Sequence, residues 1–457
     1  MEKTKDTKNR KESKKIEKIE KIEKIDKSFI FKDDLEDKEY KNCKDAELKK
    51  QMGVVYPTGF KANGFKEGKY GVAIIYSENP NTICSGVFTS NKVYAHPVKY
   101  CKDLILNSAD KKFNAVVINS GNANCFTKDG MQDNNEMVKT TSKLLNISEN
   151  RILSASTGVI GRKMPMGIIN DRVKSAYNNL RIENNNENAS KAIMTTDAYN
   201  KSVCVKITVN DNVVKIGGIA KGAGMIAPNM QKPKNLLHAT MLSIITTDLE
   251  IPANEIEDCL YSATEKSFNN TVVDGDTSTN DTLFLMANGE SGVKYEDCKE
   301  LFDSALSLVC QELAKMMARD GEGAGKLVEV LVKGAKTQED AKKASMAVVR
   351  SLLVKTAVFG NDPNWGRIVA AVGYSGAEMD MNIFDLSISN FNESTYLVKD
   401  GVQIADDGTP ELKKAEQLIQ KEKIKFIIDL KLGDFENTSF GCDLGYEYVR
   451  INAEYTT

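Results

Sequence analysis

The sequence predicts a mixed α and β protein with substantial antiparallel sheet. Three observations lead there. Short β-branched runs separated by Gly, Asn and Pro begin at about Tyr56, amphipathic helical patterns lie between them, and a hairpin signal interrupts any regular βαβ repeat.

The strands come first. Val72–Tyr76 and Ala115–Asn119 are apolar runs of strand length bounded by polar turns. Val203–Val209 and Val213–Ile219 are joined by Asn210-Asp-Asn212, a turn composition that closes hairpins. A further apolar strand is expected over Ala239–Thr247. Helices follow from spacing. In Asp303–Asp320, Leu306, Val309, Cys310, Leu313 and Met316 or Met317 recur every three or four residues, and Gly321 ends the pattern. A second helix is expected over Gln338–Val354. At the other extreme, residues 1–33 are rich in Lys and Glu, and their isoleucines recur at strictly three residues (Ile16, Ile19, Ile22, Ile25), which drift around a helix instead of holding one stripe. This segment reads as a disordered charged tail, without the apolar region of a signal peptide and too acidic for an ordinary transit peptide.

Composition narrows the function. A chain of 457 residues, 41% hydrophobic and 28% charged, has material for two or three lobes and a large core. Near-balance of 62 basic and 64 acidic residues provides no global field for a polyanion, so neither nucleic acid nor a membrane surface is an expected partner. No apolar run approaches the roughly 18 to 20 residues of a membrane helix. Nine scattered cysteines without a C-x-x-C pair point to reduced thiols in the cytoplasm, organelle import being left open. With two histidines and no cysteine clustering, no metal site is expected.

Five segments carry more Gly, Asn, Asp, Ser and Thr than a structural loop needs. Asn119-Ser-Gly-Asn-Ala-Asn124 follows a strand and reads either as a turn or as a polar-ligand loop. Ser154–Gly161 contains a Thr157-Gly158 corner that can aim a hydroxyl and a backbone N–H at one spot, as an oxyanion hole requires, or can simply cap a turn. Lys221–Asn229 looks like a phosphate loop but lacks the G-K-[ST] ending. It leads to Thr240, either an ordinary strand threonine or, were the chain cut before it, a nucleophile whose own α-amine serves as base. Val273–Asp281 carries three carboxylates without the EF-hand Gly and Glu, so it orients a basic ligand or buttresses neighbouring loops. Asp320-Gly-Glu-Gly323 sets Glu322 in a glycine-flanked turn.

Taken in order, these segments resemble the glutamate N-acetyltransferase family, the ornithine acetyltransferases of arginine biosynthesis. The resemblance runs from about Gly59 to Thr457. It is carried by Gly86-Val-Phe-Thr-Ser-Asn91, Asn119–Asn124, Ser156-Thr-Gly-Val-Ile-Gly161, Met194-Thr-Thr-Asp197 and Lys221-Gly-Ala-Gly-Met-Ile226. It continues in Ala239-Thr-Met-Leu242, Ser267-Phe-Asn269, Val273–Asp281, Asn361–Arg367 and Ile451–Thr457.

The resemblance implies a self-cleaving acyltransferase. Its fold would be a four-layer α/β/β/α sandwich of the N-terminal-nucleophile-like type with a smaller C-terminal α/β domain. Cleavage at Ala239-Thr240 would divide it into a first chain, 34–239 after the tail, and a second chain whose 240–350 completes the sandwich and whose 351–457 forms the smaller domain. Thr240 would be the nucleophile and Thr157 with Gly158 the oxyanion hole. Thr196 (with Thr195 as its rival), Lys221, Glu322, Asn452 and Thr457 would line the substrate site. Acetyl would pass from N-acetylornithine through an acetyl-threonine to glutamate, with acetyl-CoA a co-substrate in some members and no bound cofactor. The cleaved chains would assemble as an α2β2 heterotetramer.

One departure stands out: Gln231–His238, eight residues, separates Met230 from Ala239 where the family's pattern runs straight on. The insert either relaxes the strained scissile bond or, once the chain is cut, trails as a free end. Two rival readings are a self-activating amidase or aminopeptidase of similar fold and an unprocessed binding protein.

Overall fold

The structure, a computed structural model, describes residues 31–32, 51–233 and 241–454. Ala239, Thr240, Thr457 and the isoleucine repeat lie outside the described residues.

In chain order the first half runs β1 (Phe31–Lys32), β2 (Phe60–Glu67), β3 (Tyr70–Ser77), β4 (Ile83–Phe88), α1 (His96–Leu106), β5 (Ala115–Asn122) and α2 (Gly130–Leu145). It continues with β6 (Ile152–Val159), α3 (Met166–Ile182), α4 (Asn186–Ala192), β7 (Lys201–Val209) and β8 (Asn212–Lys221). The second half opens on β9 (Leu242–Thr247), α5 (Ile256–Glu265), β10 (Thr271–Val272), β11 (Thr282–Ala287) and α6 (Lys299–Arg319). Then come β12 (Leu327–Ala335), α7 (Gln338–Arg350), α8 (Leu352–Phe359), α9 (Trp365–Gly373), β13 (Asp385–Ser389), β14 (Ser394–Lys399) and β15 (Val402–Gln403). The last elements are α10 (Pro410–Ile419), β16 (Lys423–Asp429), β17 (Phe435–Cys442) and α11 (Tyr446–Glu454).

Two sheets form the sandwich. One has the order β1-β7-β8-β9-β11-β4, the other β2-β3-β5-β6. Strand alternation explains the layers, because successive side chains point to opposite faces. Ile244 and Phe284 turn inward to meet Ile75, Val116 and Ile118 of the facing sheet. Their neighbours Ile245, Leu283 and Leu285 turn outward onto Leu260 of α5 and Phe302, Leu306, Val309 and Leu313 of α6. On the other sheet Ile74 and Val117 turn outward to Met137 of α2 and Ile169 and Val173 of α3. The layers are therefore α/β/β/α, as expected from the resemblance. Both faces of each sheet are buried, which is why its strands read as continuous apolar runs.

A third sheet, β10-β17-β12-β16-β13-β14-β15, has its own core of Val330, Val332, Val348, Ile388, Phe426 and neighbours. It takes in β12 and α7, which precede residue 351. Helix α6 lies between this sheet and the sandwich, since Leu327, Phe440 and Cys442 join the cluster that α6 forms with β8 and β9.

The hairpin turn between β7 and β8 is the two residues Asn210 and Asp211, both at positive φ (46° and 66°), the backbone of a type I′ turn. The helix expected over Gln338–Val354 is instead two, because Ser351 leaves helical geometry (φ −65°, ψ 113°) and its hydroxyl accepts from Val354 N to start α8. Phe31–Lys32, within the expected tail, pair with Cys204 and Val203 of β7. Among the described residues no helix is long and apolar enough to cross a membrane, and the eight described cysteines are all free and buried.

Candidate active site

Strand ends from both sheets meet at one place. Lys221 closes β8, and in register it lies beside Leu242, which in turn pairs with Thr282 of β11. On the facing sheet β5 and β6 end side by side at Gly121 and Gly158. Lys221 spans the gap. Its Nζ donates to Thr157 Oγ1 at 3.2 Å and to Thr195 Oγ1 at 2.8 Å, and lies 3.8 Å from Asp197 Oδ2.

The Thr157-Gly158 corner is built on a backbone that only glycine fits. Gly158 sits at φ +131°, and a Cβ there would run into the Gly121 carbonyl carbon and Asn122 N, so no side chain fits. Because Thr157 Oγ1 accepts from an ammonium, its own hydrogen is left to donate elsewhere. Thr157 and Lys221 are 5% and 6% exposed, a dry setting in which such a donor acts strongly.

Burial pulls Lys221 below the ordinary lysine pKa, Asp197 pushing back and Lys201 adding to the depression. The carboxylate of Asp197 is itself fully buried, yet Lys201 and Lys221 outweigh the desolvation and hold it well below the usual carboxylate range. It accepts from Lys201 Nζ (2.8 Å), Gly222 N (2.6 Å) and Thr195 N (3.0 Å). Lys201 also donates to Asp320 Oδ2 at 2.5 Å, and burial pushes Asp320 up to about 6.

Asp320 stands two residues before Glu322. Glu322 N donates to Ala223 O at 2.9 Å, so the glycine-flanked turn docks on the chain just after Lys221. The Glu322 carboxylate lies against Gly224, where a Cβ would meet it at 2.5 Å, and accepts from Asn452 Nδ2 at 2.9 Å. Thus Thr157, Gly158, Lys221, Glu322 and Asn452 are brought to one site. Of the two rival threonines it is Thr195 that bonds Lys221; Thr196 is its half-buried neighbour.

Other sequence signals are absorbed by architecture. Asn119, Asn122 and Asn124 spend their amides on Asn122 O, Arg162 O and Gly130 O, which builds the loop after β5. Asn280 Nδ2 ties Ala123 O and Ser156 O together across the sheets. Asp274 buttresses: it accepts from Met225 N, Ile226 N and Tyr448 Oη. The Lys221–Asn229 loop is followed by no helix among the described residues up to 233, whereas a phosphate loop runs into a helix N-terminus. No cluster of His, Cys, Asp and Glu among the described residues has the arrangement of a metal site. Lys201 escaped sequence reasoning; its signal was a lysine opening a β-branched strand.

A model of the ArgJ family matches residues 58–457. The chain belongs to the ArgJ family. Among its relatives it is 64% identical over 407 residues to the glutamate N-acetyltransferase of Methanococcus maripaludis, a match covering 89% of this chain and 98% of that one. The counterpart from Methanocaldococcus jannaschii is 60% identical over 405 residues, with the same coverage. A solved structure, ornithine acetyltransferase complexed with ornithine from Mycobacterium tuberculosis, is similar at 31% identity over 39% of this chain and 96% of that one, with a TM-score of 0.36. The family match takes in every strand-end segment that converges on Lys221.

Proposed function

We propose that this ArgJ-family chain is an acyltransferase of arginine biosynthesis that moves acetyl from N-acetylornithine to glutamate through an acetyl ester on Thr240. The observation that carries the reading is the bridge from Lys221 to Thr157, which puts an oxyanion corner and a buried cation at the strand end from which β9 departs two residues after Thr240.

The chemistry begins with a cut. Attack of the Thr240 hydroxyl on the Ala239 carbonyl breaks the peptide C–N bond, and water then hydrolyses the ester, leaving the Thr240 α-amine free. That amine, whose ordinary pKa is about 7.7 to 8.0, takes the hydroxyl proton when the oxygen attacks the acetyl carbonyl of N-acetylornithine. Thr157 Oγ1–H and Gly158 N–H receive the oxyanion, charge that appears only in the transition state. The amine of ornithine leaves with the proton. Glutamate's amine then attacks the ester, giving N-acetylglutamate and restoring the threonine.

Substrate recognition needs opposite charges. Lys221 supplies a cation for the carboxylate, and Glu322, steadied by Asn452, an anion for the ammonium. Thr196 and Thr457 complete the site, with Thr195, which accepts from Lys221, the rival to Thr196. The reaction calls for no bound cofactor, and the two chains of 239 and 218 residues remain together as an α2β2 assembly in the cytoplasm.

The deciding experiment is N-terminal sequencing of the matured protein beside an assay of ornithine release from N-acetylornithine with and without glutamate. A second N-terminus at Thr240 and glutamate-dependent turnover are expected. An intact, inactive chain after prolonged incubation would sink the reading in favour of a binding protein, and hydrolysis without transfer in favour of an amidase. Transfer should also rise between about pH 7 and 8 as the α-amine deprotonates.

A further inference from the structure

Behind Lys221 lies a set of buried charges that no catalytic step uses. Asp197, at 8% exposure overall with its carboxylate fully covered, distributes its two oxygens with a clear division. Oδ1 accepts from Lys201 Nζ and Gly222 N; Oδ2 accepts from Thr195 N and faces Lys221 Nζ. One carboxylate thereby touches the threonine turn, the end of β8 and the lysine that opens β7. Lys201 passes the connection on to Asp320, whose carboxylate also accepts from Ala198 N at 3.1 Å. From Asp320 the chain reaches Glu322 in two residues.

We propose that Asp197 is the positioning residue of the substrate site: a single buried carboxylate that keeps Lys221 protonated and aimed, and that through Lys201 and Asp320 fixes the Glu322 turn at a set distance from it. The inference rests on the reading of Lys221 as the carboxylate-binding cation and deepens it.

The electrostatics give this a pH signature. The charged or titratable groups bearing on Lys221 are Asp197, Lys201, Asp281 and Glu322, with Lys66 from the facing sheet. Lys201 and Lys66 disfavour the ammonium, as does burial. Asp281, whose pKa burial raises, and Glu322, half-buried at the mouth, favour the ammonium less than Asp197 does. Asp197 is therefore the chief internal support for the charge of Lys221. Without it, the lysine loses its proton at lower pH and with it the grip on a carboxylate. A purely structural carboxylate would lower stability without shifting a titration.

The test compares wild type, Asp197→Asn, the paired variant Asp197→Asn/Lys201→Met and Lys221→Met, each after maturation, with glutamate KM and kcat measured from about pH 6.5 to 8.5. The paired variant removes one charge of each sign and leaves Asp320 its donor Ala198 N in place of Lys201, and so stands in if the single variant fails to fold. The expected result is a glutamate KM that climbs with pH about tenfold more steeply than in wild type for Asp197→Asn, and a smaller change in the same direction for the paired variant, since loss of Lys201 removes part of the depression, with kcat changed less than about threefold in both. Lys221→Met should raise KM at every pH. A KM profile parallel to wild type in the Asp197 variants, with KM raised in Lys221→Met, overturns the role of Asp197 alone. An unchanged KM in Lys221→Met overturns the reading of Lys221 and the positioning role with it.

Discussion

Thr157→Val separates the proposed oxyanion corner from the surrounding fold. Valine replaces the hydroxyl with a methyl of similar size on a β-branched frame, so strand β6 keeps its backbone preference and Gly158 keeps its N–H. Two things are lost. Lys221 Nζ loses the acceptor at 3.2 Å but retains Thr195 and Asp197, so the stability cost is that of one buried hydrogen bond to a charged group, about 1.5 to 3 kcal/mol. The transition state loses one of the two proposed oxyanion donors, which by comparison with such deletions elsewhere is worth about 2.7 to 4 kcal/mol, or 10² to 10³ in kcat. The KM for N-acetylornithine should move little, since the ground-state carbonyl is not what the donor is placed to hold. The assay is steady-state ornithine release by matured protein, beside Thr157→Ser, which restores a donor and should recover most of the loss. A folded, matured Thr157→Val with kcat within about threefold of wild type would refute the assignment of the hydroxyl.

Three further outcomes are expected. Thr240→Ala should stay at full length on a denaturing gel and show no transfer, while Thr240→Ser retains some cleavage. Asp281→Asn should raise Tm at pH 8. Both oxygens of that buried carboxyl lack hydrogen-bond partners and burial raises its pKa, so above about pH 4, where the unfolded carboxyl ionises, the acid costs the folded state stability that the amide does not; the gain should fade as pH falls to that value. Deleting Gln231–His238 should leave transfer within a few fold but lower Tm by roughly 2 to 4 °C per kcal/mol lost, because Gln231 exchanges backbone hydrogen bonds with Phe88 and its side chain accepts from Tyr261 Oη.

What the sequence made legible is what local patterns encode. β3, β5, β7 and β8 were visible because strands buried on both faces must be apolar throughout, and α6 because one helical stripe faces each of two sheets. The break at Ser351 was hidden because apolar spacing continues across it through Val348, Val349, Leu352 and Leu353, and a hydroxyl cap inside an apolar pattern is a weak signal. The third sheet was hidden for another reason: β10 pairs with β17 across more than 160 residues, and no local pattern reports such a pairing. At the site, the family's motifs named Thr157, Gly158, Lys221, Glu322 and Asn452. They could not choose between Thr195 and Thr196, neighbours whose side chains leave the backbone in different directions. Lys201 looked like any lysine until Asp320, 119 residues away, was placed beside it.

The connection between β8 and β9 explains how such a chain could be cut there and keep its shape. Lys221 and Leu242 are neighbours in the sheet, so a hairpin of a few residues would suffice to join them; residues 222–241 intervene instead. The early part of that connection is pinned independently of its far end. Met225 N and Ile226 N bind Asp274, Met230 N binds Asn269 Oδ1, and Gln231 bridges to Phe88 on the edge strand β4. The later part is pinned from Met241 onward, whose carbonyl accepts from Thr282 N at 2.8 Å. Between these anchors the covalent link carries no sheet pairing that the described residues depend on. Ile219 and Ile244, on opposite sides of the proposed cut, share one core, as do Ile216 and Ile245 in the other. Scission at Thr240 would thus free a chain end without opening either hydrophobic layer, and the six-residue pairing of β8 with β9 would keep Leu242 beside Lys221.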